Sequence, residues 1–198
     1  MGRDESGALV MRINRAITGI FIAIVALSLS GCASTGTIGS MHDHSTQAAG
    51  DLSSDDVMFL QMMIPHHQQA IDISDLALTK SADLELLALA KTIRDEQSAE
   101  IVKMKAWLEK ANATSHSDSH SMDGMLSDSE LAALDKASGK SFDVLWLKAM
   151  TGHHTGAIDM AAMIENAKSA EIKSFRQGIV ASQSAQNKAM AAMIKRIG

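Results

Sequence analysis

One ten-residue pattern occurs twice in this chain, and this repeat constrains the fold more than any other feature. Residues 63–72 and 150–159 both read Met-x-x-His-His-x-x-Ala-Ile-Asp, at a spacing of 87 positions. A second match follows at a spacing of 86, where Gln-Ser-Ala at residues 97–99 aligns with Gln-Ser-Ala at residues 183–185. The chain therefore contains two related halves, each long enough for a pair of helices.

Apolar residues recur every three or four positions along both halves, which is the period of an amphipathic helix. Neither half could cover its apolar stripe alone, so the two halves are expected to pack together. The predicted fold is all-α, a four-helix up-and-down bundle built from two repeated helical hairpins. The bundle domain covers residues 53–198, with repeat one at 53–110, a linker at 111–127 and repeat two at 128–198. The predicted helices are residues 54–79, 82–110, 128–136, 141–167 and 169–196.

Residues 1–31 have the features of an export signal. Two arginines precede an apolar run at residues 16–29, which is short for a membrane-spanning helix but suits a signal-peptide core. The run ends in Leu-Ser-Gly followed by Cys32, which resembles a bacterial lipobox, whose Cys is lipidated after cleavage. An ordinary signal peptide with an incidental Cys is the alternative. Met11 competes with Met1 as the true start.

Lipidation of Cys32 predicts a protein that is anchored in the bacterial cell envelope, on the periplasmic or extracellular face. Ala33 and Ser34 follow the Cys, so the second position of the lipidated chain is not Asp. This favours sorting to the outer membrane in a Gram-negative cell. Residues 32–52 are rich in Gly, Ser and Thr and are predicted to form a flexible tether between the lipid and the bundle.

Composition narrows the chemistry that the folded part can carry. The formal net charge is −5, which argues against a protein that binds nucleic acid through phosphate contacts. Aromatic residues are only 3% of the chain, so base-stacking surfaces and an all-β fold are disfavoured. The single Cys allows no intramolecular disulfide and no thiolate cluster. With that Cys lipidated, a soft-metal site would have to use Met and His, of which the full sequence has 14 and 8.

The two His-His pairs are the strongest candidates for function. They are His66 with His67, and His153 with His154. Met63 and Met150 each lie three positions before the first His of a pair, so each thioether shares a helix face with an imidazole. The first His of each pair falls inside an apolar stripe. The second His is rotated by about 100°, toward a neighbouring helix or the rim.

Methionine supplies the second type of donor. Thioether sulfur is a soft ligand, so Met with His and without Cys favours Cu(I) or its mimic Ag(I), whereas Cu(II) could be held by His with a carboxylate. Neutral imidazole is required, so copper affinity is expected to fall below about pH 6. The predicted metal ligands are His66, His67, Met63, Met104, His153, His154, Met150 and Met190.

Each of these residues also has a structural interpretation. A buried His commonly bonds a carbonyl, Met is a common core filler, and a duplication copies structural residues as faithfully as functional ones. Pro65 and Gly152 precede the two pairs and weaken the helix at the same point in both halves. Such local conflicts are typical of functional sites, although a kink that only improves packing is the alternative. Acidic residues predicted to face solvent are Asp72, Asp159, Asp95, Glu96 and Glu100.

Two flexible segments carry further metal-binding residue types. Short tracts rich in His and Met can capture metal without a fold, although soluble linkers of biased composition are the alternative. The candidates for flexible capture are His42, His44, His116, His120, Met122 and Met125.

No enzyme class fits the sequence, and the chain is predicted not to be an enzyme. A di-iron oxidase on a four-helix bundle needs Glu three positions before a ligating His. Those positions are Met63, Ile64, Met150 and Thr151. A hydrolase would need a nucleophile elbow, and the sequence has none. The remaining rival is a structural or protein-interaction lipoprotein, in which the core histidines are buried and free of ligand.

The repeated motif, together with Gln-x-x-Glu-Ile-x-x-Met-x-x-Trp-Leu at residues 97–108, resembles domain-of-unknown-function family 305. The resemblance covers about residues 52–197 but weakens in the last helix, where Gln186 replaces Glu100 and Met193 replaces Trp107. It implies a ferritin-like four-helix protein, often exported, with some members binding copper or silver through Met and His.

The predicted function is sequestration or handover of copper by a lipid-anchored, extracytoplasmic protein. Its partners are then a metal ion and the membrane that holds the lipid, without nucleic acid. The oligomeric state and the choice between storage, delivery and sensing stay open.

Overall fold

The computed structural model describes residues 52–114, 122–163 and 168–198, and these segments contain five α-helices and no strand. The helices are α1 (Ser54–Lys80), α2 (Leu84–Lys110), α3 (Asp128–Lys136), α4 (Gly139–Met163) and α5 (Ala170–Ile197). The all-α prediction is confirmed. None of these five helices is both long and apolar enough to cross a membrane. The predicted signal peptide, Cys32 and the tether as far as residue 51 lie outside the described residues, as do His42, His44, His116 and His120.

Side-chain caps explain where the helices begin. The Ser53 side chain accepts from the Asp56 backbone N–H at 3.1 Å, and the Asp56 carboxylate accepts from the Ser53 N–H at 2.9 Å. The same reciprocal capping box, formed by Ser127 and Glu130, starts α3. Because this cap chemistry is local in sequence, α3 begins at the predicted residue, and it also ends at the predicted Lys136.

Two apolar clusters fill the interior of the helical domain. The first contains the C-terminal halves of α1 and α5 and the N-terminal halves of α2 and α4. The second contains the opposite halves of the same four helices. Each cluster combines the C-terminal half of α1 or α4 with the N-terminal half of its neighbours, or the reverse. Therefore α1 must be antiparallel to both α2 and α4, and α4 must be antiparallel to α5. The Trp146 indole N–H joins α4 to α1 by donating to the Ile73 carbonyl at 2.8 Å.

The connection from α2 to α4 returns along the length of α1. Because α2 and α4 run in the same direction, the end of α2 at Lys110 and the start of α4 at Gly139 lie at opposite ends of the helices. Three side chains of α1 hold this crossover along its course. The contacts are Gln61 Nε2 to the Thr114 carbonyl at 2.6 Å, Gln69 Nε2 to the Leu126 carbonyl at 2.9 Å, and Lys80 Nζ to Asp135 Oδ1 at 3.4 Å. The predicted up-and-down order is not confirmed, because it assumed that every long helix runs opposite to the next.

Candidate metal centre

A layer of polar side chains separates the two apolar clusters, and the four paired histidines lie in it. His66, His67, His153 and His154 all have 0% of their surface exposed. The rings of His66 on α1 and His153 on α4 face each other, with centroids 3.8 Å apart and planes tilted by 40°. The two repeats therefore meet at equivalent residues, as in an interface between copies related by a two-fold axis.

His67 contacts a carboxylate on the adjacent helix. Its Nε2 lies 2.7 Å from Oε2 of Glu100 on α2. An ionised carboxylate only accepts, so Nε2 carries the proton and the lone pair of the neutral ring is on Nδ1. The prediction that Glu100 belongs to an exposed acidic face is wrong. Only 21% of its side chain is exposed, because the carboxylate reaches inward to His67.

His154 makes the equivalent contact in the second repeat, with an amide in place of the carboxylate. Its Nε2 lies 2.7 Å from Oε1 of Gln186 on α5. The amide is oriented by Glu96 on α2, whose carboxylate accepts from Gln186 Nε2 at 2.7 Å. Since the amide oxygen must then face the ring, the hydrogen-bond network assigns the His154 proton to Nε2 and the lone pair to Nδ1.

Six ring nitrogens of this layer have no hydrogen-bond partner among the described residues. They are both nitrogens of His66, both nitrogens of His153, and the Nδ1 atoms of His67 and His154. Buried polar atoms are nearly always paired, and an unpaired one costs about 1–3 kcal/mol. Each of the four neutral rings has one nitrogen lone pair that could serve as a metal donor. The Nε2 contacts of His67 and His154 are of the kind that orients ligating imidazoles.

Burial favours the neutral, metal-binding form of three of these rings. Desolvation, with contributions from His67 and His154, lowers the pKa of His66 to about 3, and the backbone of Asp123 opposes this shift. Burial also lowers the pKa of His154 to about 4, partly offset by the Gln186 hydrogen bond. Burial and the neighbouring imidazoles hold the pKa of His153 well below its ordinary value. Near pH 7 protons therefore do not compete with a metal ion at these rings.

Four fully buried methionines flank the histidine layer. Met63 and Met104 belong to the second cluster, and Met150 and Met190 belong to the first. Each repeat therefore supplies two thioethers on one side of the layer. The Thr151 hydroxyl, which donates to the Leu147 carbonyl at 2.7 Å, lies 3.8 Å from the sulfur of Met190, so that sulfur is beside α4, close in sequence to the second His pair.

These donors are not grouped around a single point. Within residues 52–114, 122–163 and 168–198, no three His, Cys, Asp or Glu side chains are arranged as ligands of one ion. The rings of His66 and His153 lie against each other with their planes tilted by 40° and their centroids 3.8 Å apart. An ion that binds both rings would therefore require at least one of them to turn its edge toward the other.

The family of the chain follows from comparison with known proteins. A family model described as "Domain of unknown function (DUF305)" matches residues 56–194, which is most of the chain. The chain belongs to the DUF305 family.

Solved structures of DUF305 proteins share this fold. A protein from Streptomyces coelicolor is 29% identical with a TM-score of 0.69, over 73% of this chain and 94% of that one. A fragment from Deinococcus radiodurans is 26% identical with a TM-score of 0.69, over 73% and 98%. CopM in its Cu(I)-bound form is 34% identical with a TM-score of 0.62, over 71% and 96%. No curated protein matches the chain.

Four further polar residues complete the layer in this DUF305 protein, and sequence reasoning did not assign them to the site. They are Gln97 and Glu100 on α2, and Gln183 and Gln186 on α5. Gln97 and Gln183 are buried, and within the described part of the chain their Oε1 atoms have no partner. The repeat could have identified these residues. Gln97 aligns with Gln183 and Glu100 aligns with Gln186 at the spacing of 86, and each of them interrupts an apolar helix face.

Met122 and Met125 of the DUF305 chain lie against the helices rather than in a flexible segment. Met122 is half-buried and packs on the second apolar cluster. Met125 is half-buried and lines a surface pocket between the crossover and α4, and its N–H donates to the Met122 carbonyl at 3.1 Å. Of the residues predicted for flexible capture, these two are the ones that the structure describes, and both are held in place.

Proposed function

We propose that this DUF305 protein binds copper, with Cu(I) preferred, and sequesters it or hands it over without catalysing a reaction. The observation that carries the proposal is the set of six buried ring nitrogens with no partner among the described residues, flanked by two pairs of buried thioethers. Imidazole and thioether together favour a soft monovalent ion over Zn²⁺, Mg²⁺ or Ca²⁺. Ag(I), which has similar ligand preferences, is expected to compete for the same donors.

The relatives support the choice of metal. Structures of CopM, at 32–34% identity to this chain, are described as Ag-bound, Cu(II)-bound and Cu(I)-bound. In this chain, Cu(I) would be held by His66, His67, His153 and His154 with thioethers from the flanking methionines.

The proposed place of action is the bacterial cell envelope. The sequence of residues 1–31 and the position of Cys32 support export followed by lipidation, and the Streptomyces coelicolor relative carries a secreted-protein name. A lipid on Cys32 would tether the copper site to a membrane surface through residues 33–52. Labelling of Cys32 by a radioactive or alkyne fatty acid in a bacterial host, and its loss in Cys32→Ser, tests this part of the proposal.

Copper binding is tested by titrating the purified protein with Cu(I) and following its melting temperature. A ligand that binds the folded state raises the melting temperature by mass action. We expect a rise that is lost when His66, His67, His153 and His154 are changed together to Ala. The matched control changes four histidines outside the layer, namely His42, His44, His116 and His120, and should keep the rise.

The two sets of variants separate three outcomes. Loss of the thermal shift in the first variant alone supports the buried site. Loss in the control alone would move copper binding to the tether and linker. No shift in the unmodified protein would overturn the proposal and leave a structural or protein-interaction lipoprotein as the better account.

A further inference from the structure

Residues 122–126 cross the groove between α1 and α4 at the level of the histidine layer. Their backbone lies so close to α4 that a Cβ on Gly156 would overlap the carbonyl group of Asp123. Gly124 has a φ of +85°, and a Cβ there would come within 2.8 Å of the Gly152 carbonyl oxygen. Both Gly124 and Gly156 are therefore required by the close approach of two backbones.

A single side chain fastens this segment on the α1 side. The Gln69 amide donates to the Leu126 carbonyl at 2.9 Å, and its oxygen accepts from the Leu126 N–H at 2.7 Å. The Leu126 side chain enters the first apolar cluster. The backbone of Asp123, three residues earlier, lies near His66, and Gly152 and Gly156 lie on either side of the second His pair along α4. The segment therefore covers the place where the two repeats meet.

We propose that residues 122–126 form a strap that closes the groove over His66 and His153, and that Gln69 is the positioning residue that controls how often it opens. The inference rests on the proposed function, since it concerns how an ion reaches that same site. The two rings have 0% exposure, so a metal ion needs an opening motion to reach them. The strap is the element suited to this motion. It is held by two amide hydrogen bonds and close backbone contacts, whereas the helices around it are held by continuous backbone hydrogen bonds.

The strap can be tested in the full chain without any metal. Diethyl pyrocarbonate modifies neutral imidazoles that reach solvent, and mass spectrometry of peptides reports each histidine separately. In Gln69→Ala, we expect His66 and His153 to be labelled about tenfold faster than in the unmodified protein, because two hydrogen bonds of the strap are lost. The helical circular dichroism should be unchanged.

The adjacent residue provides a matched control. Gln68 is exposed and donates only within α1, to Asp72 at 3.0 Å, so Gln68→Ala should leave labelling unchanged. Gly124→Ala displaces the strap from the α4 side and should also accelerate labelling, which covers the case in which Gln69→Ala does not fold. Equal labelling of His66 and His153 in all folded variants would overturn the strap.

A second measurement links the strap to copper. The rate at which excess bathocuproine disulfonate removes Cu(I) from the loaded protein should rise about tenfold in Gln69→Ala and stay unchanged in Gln68→Ala. An unchanged removal rate in Gln69→Ala would overturn the role of the strap in access. If the unmodified protein binds no Cu(I), the proposed function fails by itself, and the labelling experiment still decides whether the strap exists.

Discussion

At the scale of single residues, the site depends on which nitrogen of each outer histidine carries the proton. Glu100 and Gln186 each place an acceptor 2.7 Å from an Nε2 atom, so the Nδ1 atoms of His67 and His154 are left with lone pairs inside the protein. The inner pair, His66 and His153, has no such partner among the described residues, so each neutral ring can offer the lone pair of one nitrogen to a ligand. Partners of this kind do not bind a metal ion themselves, but they set the orientation and basicity of the imidazoles that would bind it.

Changing Glu100 to Gln tests this role. The amide can present its oxygen or its NH₂ group to His67 and carries no charge, so the lone pair on Nδ1 is less basic and less firmly directed. We expect the affinity for Cu(I), measured by competition with a chromogenic chelator, to fall by about 10-fold to 100-fold. Asp95→Asn removes an exposed carboxylate of the same helix and is the control. Equal affinities in the two variants would show that the contact only supports packing.

Acid should destabilise the apoprotein through the histidines whose pKa is lowered. An imidazole whose pKa is lower in the folded state binds more protons when the protein is unfolded. Its contribution to the free energy of unfolding is therefore complete at a pH above its ordinary pKa and is lost as the pH falls. The window runs from 6.5 down to about 3 for His66, and from 6.5 down to about 4 for His154. Within its window, each ring lowers the free energy of unfolding by up to about 1.4 kcal/mol for each unit by which the pH falls. Urea unfolding between about pH 7.5 and pH 5 should show this decline, and a flat profile would contradict it.

The same burial revises the expected pH dependence of copper binding. Unperturbed imidazoles would release copper below about pH 6. The lowered pKa values of His66 and His154, about 3 and about 4, mean that these rings stay neutral in the folded protein at lower pH. We expect Cu(I) to be retained at about pH 5 for as long as the domain stays folded, as measured by equilibrium dialysis. Release in step with an ordinary imidazole titration would place the ligands on exposed histidines.

At the scale of elements, the glycines of α4 have different roles. A Cβ at Gly152 would meet open space, whereas a Cβ at Gly156 would overlap the Asp123 carbonyl. Gly152→Ala should therefore raise the free energy of unfolding by about 0.5–1 kcal/mol, because Ala is the better helix former. Gly156→Ala should lower it by about 1–3 kcal/mol, because the crossover must move away. Chemical denaturation of the two variants measures both changes, and a loss of stability in Gly152→Ala would contradict this assignment.

Much of the element scale was predictable, and the rest depends on contacts that are distant in sequence. The N-terminal cap of α3 is local, so the start of this helix follows from Ser127 and Glu130. Gly152 is conspicuous in the sequence because it precedes a His pair, but the glycine that the fold requires is Gly156, which meets a linker 33 positions earlier in the chain. The inward turn of Glu100 is likewise a tertiary effect, since its neighbours in sequence predict an exposed acidic face.

At the scale of the whole molecule, the duplication builds the site as an interface between two hairpins. Equivalent helices meet at His66 and His153, and each apolar cluster takes half-helices from both repeats. The repeat in the sequence predicts that the hairpins pack together, but it does not specify their relative direction. In the described parts of the connection between α2 and α4, Thr114, Leu126 and Asp135 contact α1 at successive points along its length, which is compatible with α2 and α4 running the same way.

This dependence predicts that neither hairpin folds alone. Residues 53–110 in isolation would expose Phe59, Met63, Ile73 and both histidines of the first pair, all of which are buried in the full domain. We expect a low helical circular dichroism signal and no cooperative thermal transition, because isolated helices of this kind depend on tertiary packing. Addition of residues 128–198 as a second polypeptide should restore the helical signal. A cooperative transition in the lone hairpin would show that each repeat is a domain of its own.

X-ray absorption at the copper edge tests the central claim most directly. The protein loaded with one equivalent of Cu(I) should show both sulfur and imidazole nitrogen scatterers, and the sulfur contribution should fall when Met63, Met104, Met150 and Met190 are changed to Leu. A spectrum that contains only nitrogen and oxygen scatterers, or one that these four substitutions leave unchanged, would contradict a copper site built from buried histidines and methionines.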